Sequence, residues 1–157
     1  EMSAATNPKI DILAYTEVPA GTRVVNQCWS GDMLLGVWYL PEDASWTELG
    51  YWQPDEMVTG NDVFCVARNA ERPVLAHEFI NFFLDVDNAL ENFGWTGYQP
   101  ALEALDAQTL IDWEYVPANL ANALITPAQY AKGNRAVALE PDVDARWTDV
   151  WAKFTAG

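Results

Sequence analysis

The chain is poor in the residues most enzymes use for chemistry. It has one histidine, His77, and two cysteines among 157 residues. Glu78 follows His77, but no second histidine stands four residues on, so a zinc-protease helix is excluded. A Ser-His-Asp set would need His77 off its helix face, beside Phe79 and Phe82, where a packing or surface role is expected instead. No glycine-rich phosphate loop and no Gly-x-Ser-x-Gly elbow occurs. Basic residues are scarce as well: eight Lys and Arg stand against 23 Asp and Glu, for a net charge of -15. That balance argues against nucleic acid, whose phosphates are bound by clustered Lys and Arg, and against anionic membrane surfaces. No apolar run reaches the roughly twenty residues of a membrane-spanning helix. The chain opens on Glu1 with no signal-peptide pattern, so it reads as trimmed or excised.

What is present is a hydrophobic fraction of 50% and an aromatic complement of eight Trp, six Tyr and six Phe. The apolar content is enough for one ordinary core. Most of the aromatics belong to that core. Eight Trp exceed the needs of a domain this size, which leaves some to line a ligand cleft.

Residues 1–8 read as a polar lead-in, followed by an apolar run, Ile10 to Tyr15, and a turn at Pro19-Ala20-Gly21. Arg23 to Trp29 reads as a strand, and Asp32 as the N-cap of a helix from Met33 to Leu40 that Pro41 closes. Further strands are expected at Trp46 to Trp52 and at Val63 to Val66, the second after the Gly60-Asn61-Asp62 turn. Pro73 opens the clearest helix, with Leu75, Phe79, Phe82 and Phe83 on a face expected to be buried. Asp87 caps a second helix, which Gly94 ends. Helical pieces follow around Leu120 to Leu124, from Pro127 with Thr126 as cap, and after Pro141, where Val143, Trp147, Val150, Trp151 and Phe154 form one stripe. Strands interleaved with helices predict an α/β fold.

Trp29-Ser30-Gly31-Asp32 carries the most information. An indole face beside a fixed carboxylate suits a small organic cation. Asp32 and Asp62 each lie at a junction between elements, beside aromatics, where open α/β sheets place ligands, and Tyr98 is a third candidate; a cap or turn for the acids and a loop anchor for Tyr98 are the plainer roles. Asp85-Val86-Asp87-Asn88 resembles the start of a calcium loop but lacks its later glycine and acid, so a helix cap is expected. Asp142, Asp144 and Asp149 read as a solvated helix face. Cys28 and Cys65 are either a reduced pair or, in an exported chain, a disulfide. No cofactor or metal is expected.

Four motifs then occur in order: Trp29-Ser30-Gly31-Asp32, Gly60-Asn61-Asp62-Val63-Phe64, Ala76-His77-Glu78-Phe79-Ile80-Asn81-Phe82-Phe83-Leu84-Asp85 and Gly97-Tyr98-Gln99-Pro100. Together with the closing Trp147 to Gly157 segment, they resemble the bacterial spermidine/putrescine-binding proteins of ABC transporters, from about Ile10 onward. The resemblance implies an α/β fold, the C-terminal part of a two-lobed, periplasmic-binding-protein-like (type II) clamshell. Residues 1–60 and 100–157 would then belong to the second lobe and 61–99 mainly to the first, most of which is absent. It implies Trp29 as an aromatic wall, Asp62 as the carboxylate for a ligand amine, and Tyr98 as the tyrosine of the Gly-Tyr loop. Asp32 has no acidic counterpart there, and its role follows from its chemistry alone. Gly60 stands where the family often has an aromatic, so one wall is missing; Trp52 is the candidate to replace it.

By the same resemblance, the expected function is non-catalytic capture of a polyamine or similar cation and its delivery to an ABC transporter permease. The location would be periplasmic or extracellular, with a lipid anchor on an absent N-terminus as one means of attachment. The partners are the solute, the permease and a missing N-terminal lobe, without which binding should be weak or absent. The alternatives are a binding protein for another small solute (an amino-acid derivative or a carboxylate), a glycosidase pairing Asp32 with Asp62, and an interaction module with an exposed aromatic surface.

Overall fold

A computed structural model describes residues 9–156. Its helices are α1 (Ala14–Glu17), α2 (Ser30–Leu35), α3 (Pro73–Leu84), α4 (Val86–Thr96), α5 (Ala107–Asp112), α6 (Pro127–Lys132) and α7 (Pro141–Ala156). Short 3₁₀ turns lie at Gly36–Tyr39, Trp46–Glu48, Glu103–Leu105 and Ala118–Ala123. The lead-in expected over residues 1–8 lies outside the described residues.

The α/β expectation is overturned, and the type II clamshell with it. Among the described residues the only β pairing is an isolated parallel bridge between Val58 and Asn134. A β-branched run becomes a strand only when a partner supplies a ladder and a surface to pack on. Val24 and Val25 have neither, and are 93% and 86% exposed. Val63 and Phe64 are exposed in the same way. The strand expected at Trp46 is replaced by a 3₁₀ turn, which Ser45 and Glu48 close as a reciprocal capping box.

The local helix signals held better. Pro73 and Pro127 stand at helix N-termini, where a missing N–H costs nothing, and Pro141 begins α7. Thr126 caps α6 in a capping box with Gln129. The acidic Asp85 segment is a helix cap, although the capping residue is Asp85 rather than Asp87: its carboxylate accepts from the N–H groups of Asp87 and Asn88. Gly94 does not stop α4. The helix runs on to Thr96 and ends at Gly97, whose φ of 73° is left-handed. The α5 helix, capped by Asp106, was not anticipated.

The core sits where α2, α4, α5 and the 118–123 turn meet. Leu105, Leu110, Leu120 and Leu124 are fully buried there, with Met33, Leu34, Leu49, Ala89, Phe93 and Val116 around them. The α3 and α7 helices contribute no buried residue. The burial expected for the Phe79 and Phe82 face of α3 is therefore corrected: both are more than half exposed, in an aromatic cluster with Phe64 and Phe83. Helical spacing shows that a face is apolar; it does not supply the element that covers it.

Candidate functional site

The start of α2 and the loop after α4 meet at a contact that only glycines permit. At Gly31 a methyl group would come within 2.6 Å of the Tyr98 ring. At Gly97 it would come within 2.3 Å of the Gly31 carbonyl oxygen and 2.7 Å of the Leu35 nitrogen. Bare backbone on both sides lets Tyr98 lie across the first turn of α2. Its hydroxyl donates a hydrogen bond to the Asp32 carboxylate at 2.9 Å.

Asp32 consequently has a different place from the one expected. The N-cap position of α2 belongs to Trp29, and Asp32 lies inside the first turn, only 7% exposed. A carboxylate there is favoured by the positive end of the helix. It holds Tyr98 in position while its own charge stays beneath the surface. Replacing Tyr98 by phenylalanine strips a buried carboxylate of this donor. The expected loss is about 1–3 kcal/mol of stability, measured by denaturant unfolding.

The other predicted residues surround this pair. Asp62 is exposed, and its negative charge is close enough to act on the Tyr98 hydroxyl. Trp29 is 64% exposed and stands two residues before the glycine on which Tyr98 packs. The structure thus brings Tyr98 together with Asp32 by a hydrogen bond and with Asp62 by charge alone, while Trp29 is joined to them only through its position at the start of α2. Neither Asp32 nor Asp62 forms an ion pair among the described residues.

Two further groups belong to the corner and were not anticipated in this role. Cys28 and Tyr51 pack on the core beside Asp32. Trp52, the candidate replacement wall, is 77% exposed, whereas its neighbour Tyr51 is the half-buried ring near Asp32. The Tyr51-Trp52 pair in the sequence was the available signal, but choosing between adjacent aromatics needs the backbone direction.

Titration in the corner reflects burial and negative charge. Burial, the hydrogen bond to Asp32 and the charges of Asp32 and Asp62 raise the Tyr98 phenol above its ordinary range. Burial, then Asp32, pushes the Cys28 thiol up to about 11. Both groups are therefore neutral near pH 7. The unfolded chain ionises Cys28 near the ordinary thiol value of 9.0, while the folded chain holds the proton to about 11. Stability contributed by this difference is intact below about pH 9 and is lost as pH rises toward 11. Unfolding midpoints measured from pH 8 to 11 should fall with pH, less steeply in Cys28→Ala.

Cys28 and Cys65 are both free thiols. His77 is exposed on α3. Among the described residues no cluster of three His, Cys, Asp or Glu side chains is arranged to hold a metal ion, and no helix is long and apolar enough to cross a membrane.

The described chain is helical, with Tyr98 bonded to a buried Asp32 where α2 meets the loop after α4. No protein-family profile, curated protein or solved structure matches the chain.

Proposed function

We propose that the chain binds a small organic cation, a polyamine such as spermidine or putrescine, at the corner formed by Trp29, Asp32, Asp62 and Tyr98. The observation that carries this reading is the hydrogen bond of Tyr98 to the buried Asp32, with the charge of Asp62 acting on the same phenol and neither acid in an ion pair among the described residues. Asp62, exposed, pairs with an ammonium group. Tyr98, whose proton is committed to Asp32, turns an oxygen lone pair toward the same cation. The Trp29 indole covers methylenes and attracts charge, a contact worth roughly 0.5–2 kcal/mol. Asp32 acts through Tyr98 as a positioning residue.

In this reading the protein captures its solute outside the cytoplasm and delivers it to the permease of an ABC importer, without catalysis. That wider role rests on the ordered motifs of the sequence. With the clamshell overturned, the binding site rests on the corner alone, and binding is expected from the chain as it stands. A thermal-shift series at constant ionic strength with spermidine, putrescine, an amino acid and a dicarboxylate tests the ligand class. A ligand at a hundredfold its dissociation constant adds roughly 2.7 kcal/mol. Stabilisation by the polyamines supports the reading. Stabilisation by the dicarboxylate alone overturns it.

A further inference from the structure

Two apolar faces lie uncovered among the described residues, the first of them beginning two residues after Asp62. The first is a groove of about 480 Å³ on α3, lined by Phe64, Val66, Leu75, Phe79 and Ile80. Arg72 is the single charged residue in its lining. The second is the α7 stripe. Val143, Trp147, Val150 and Trp151 are all exposed, and Trp151 stacks on Phe154 at 5.6 Å. Exposed apolar surface of this extent beside a solvated acidic exterior marks an interaction site.

The charges at the two faces are complementary. Arg72 and its neighbour Arg68 have no ion-pair partner among the described residues. On α7 both cations are already engaged within the helix, Arg146 with Asp142 and Lys153 with Asp149. Asp144 has no such partner, and at 100° per residue it flanks the stripe one turn before Trp147. The helix therefore offers an apolar ridge with one unpaired carboxylate. The groove offers an apolar trough with one unpaired guanidinium. The lengths agree too: α3 has 12 residues and α7 has 16, so one helix can lie along the other.

We propose that the α3 groove receives α7 of a second copy of this chain, and that the exchange is reciprocal. Each copy then covers the other's groove and has its own stripe covered. Two equivalent seams close the pair under two-fold symmetry and leave neither face to recruit a third copy. The apolar contacts supply the adhesion, and the Arg72–Asp144 pair fixes the direction in which α7 lies.

Sedimentation across a concentration series, in about 0.15 M salt, tests this with the full chain. The wild type is expected to reach the dimer mass. Leu75→Glu/Phe79→Glu and Trp147→Glu/Trp151→Glu each remove one face at exposed positions and should be monomeric with unchanged far-UV circular dichroism. Mixing these two variants should restore a dimer, because one groove and one stripe remain intact between them. Arg72→Glu should weaken association, and adding Asp144→Arg in the same chain should recover it. A wild type that stays monomeric at every concentration overturns the proposal, whether α7 covers its own groove or a different protein does. Dimers that persist in both face variants, or folded variants that fail to complement, overturn it equally.

Discussion

Replacing Gly97 by alanine is expected to destabilise the protein by about 2–5 kcal/mol, combining a left-handed backbone cost of ~1–2 kcal/mol with ~1–3 kcal/mol of overpacking. The backbone at Gly97 has a φ of 73°, and a methyl group there would meet the Gly31 carbonyl at 2.3 Å and the Leu35 nitrogen at 2.7 Å. Both obstacles are main chain of α2, so neither moves without moving the helix that carries Asp32. For a chain of this size the midpoint of thermal unfolding should fall by roughly 5–20 °C. Gly60 is the control, since a methyl group there meets nothing within 4 Å. Gly60→Ala should be neutral or slightly stabilising. Equal midpoints for the Gly97 and Gly60 variants would show that α2 and the Tyr98 loop are not packed as described.

Asp62→Asn is expected to weaken polyamine binding by about ten- to hundredfold, the equivalent of the ~1.5–3 kcal/mol that a hydrogen bond to a charged group contributes. The substitution keeps the shape of the side chain and removes the charge that faces the ligand. Because Asp62 is exposed, the fold should be unaffected, and the change should be visible in affinity alone. Trp29→Ala should cost less, since a single cation–π face contributes roughly 0.5–2 kcal/mol. Titration calorimetry on both variants gives the order directly. A Trp29 variant weaker than the Asp62 variant would mean that apolar cover, and not charge, holds the ligand.

The helices that begin at Pro73, Pro127 and Pro141 could be read from the sequence because their start signals are local. A fixed proline φ and a capping side chain act within one turn and need no distant partner. The strands at Arg23–Trp29 and Val63–Val66 misled for the opposite reason. Their residue types suit a pleated surface, yet the partner they require lies elsewhere in the chain or nowhere. The faces of α3 and α7 show the same division: their periodicity was readable, while their exposure depended on what packs against them.

At the corner, the sequence singled out Trp29, Asp32, Asp62 and Tyr98, but it assigned Asp32 the wrong task. As an isolated Asp after a turn it looked like a cap. Its burial beneath Tyr98 depends on two glycines 66 residues apart packing backbone to backbone, Gly31 against the Gly97-Tyr98 loop. Gly31 beside Asp32 permits that approach, but nothing near it in the chain names the Gly97-Tyr98 loop as its partner. The choice of Tyr51 over Trp52 is hidden in the same way, since it turns on which of two adjacent rings faces the core.

The measurement that bears most directly on the central claim is a calorimetric titration with spermidine at constant ionic strength on three proteins: the wild type, Asp62→Asn, and the double variant Asp142→Asn/Asp149→Asn. A chain of net charge -15 attracts any polycation, so total charge and local site must be separated. The double variant removes two charges on exposed α7, where Asp62→Asn removes one at the corner. A corner that binds the cation predicts saturable one-to-one binding in the wild type, retained in the double variant and largely lost in Asp62→Asn. Wild-type affinity in Asp62→Asn, or affinity that falls with the number of charges removed wherever they lie, would contradict it.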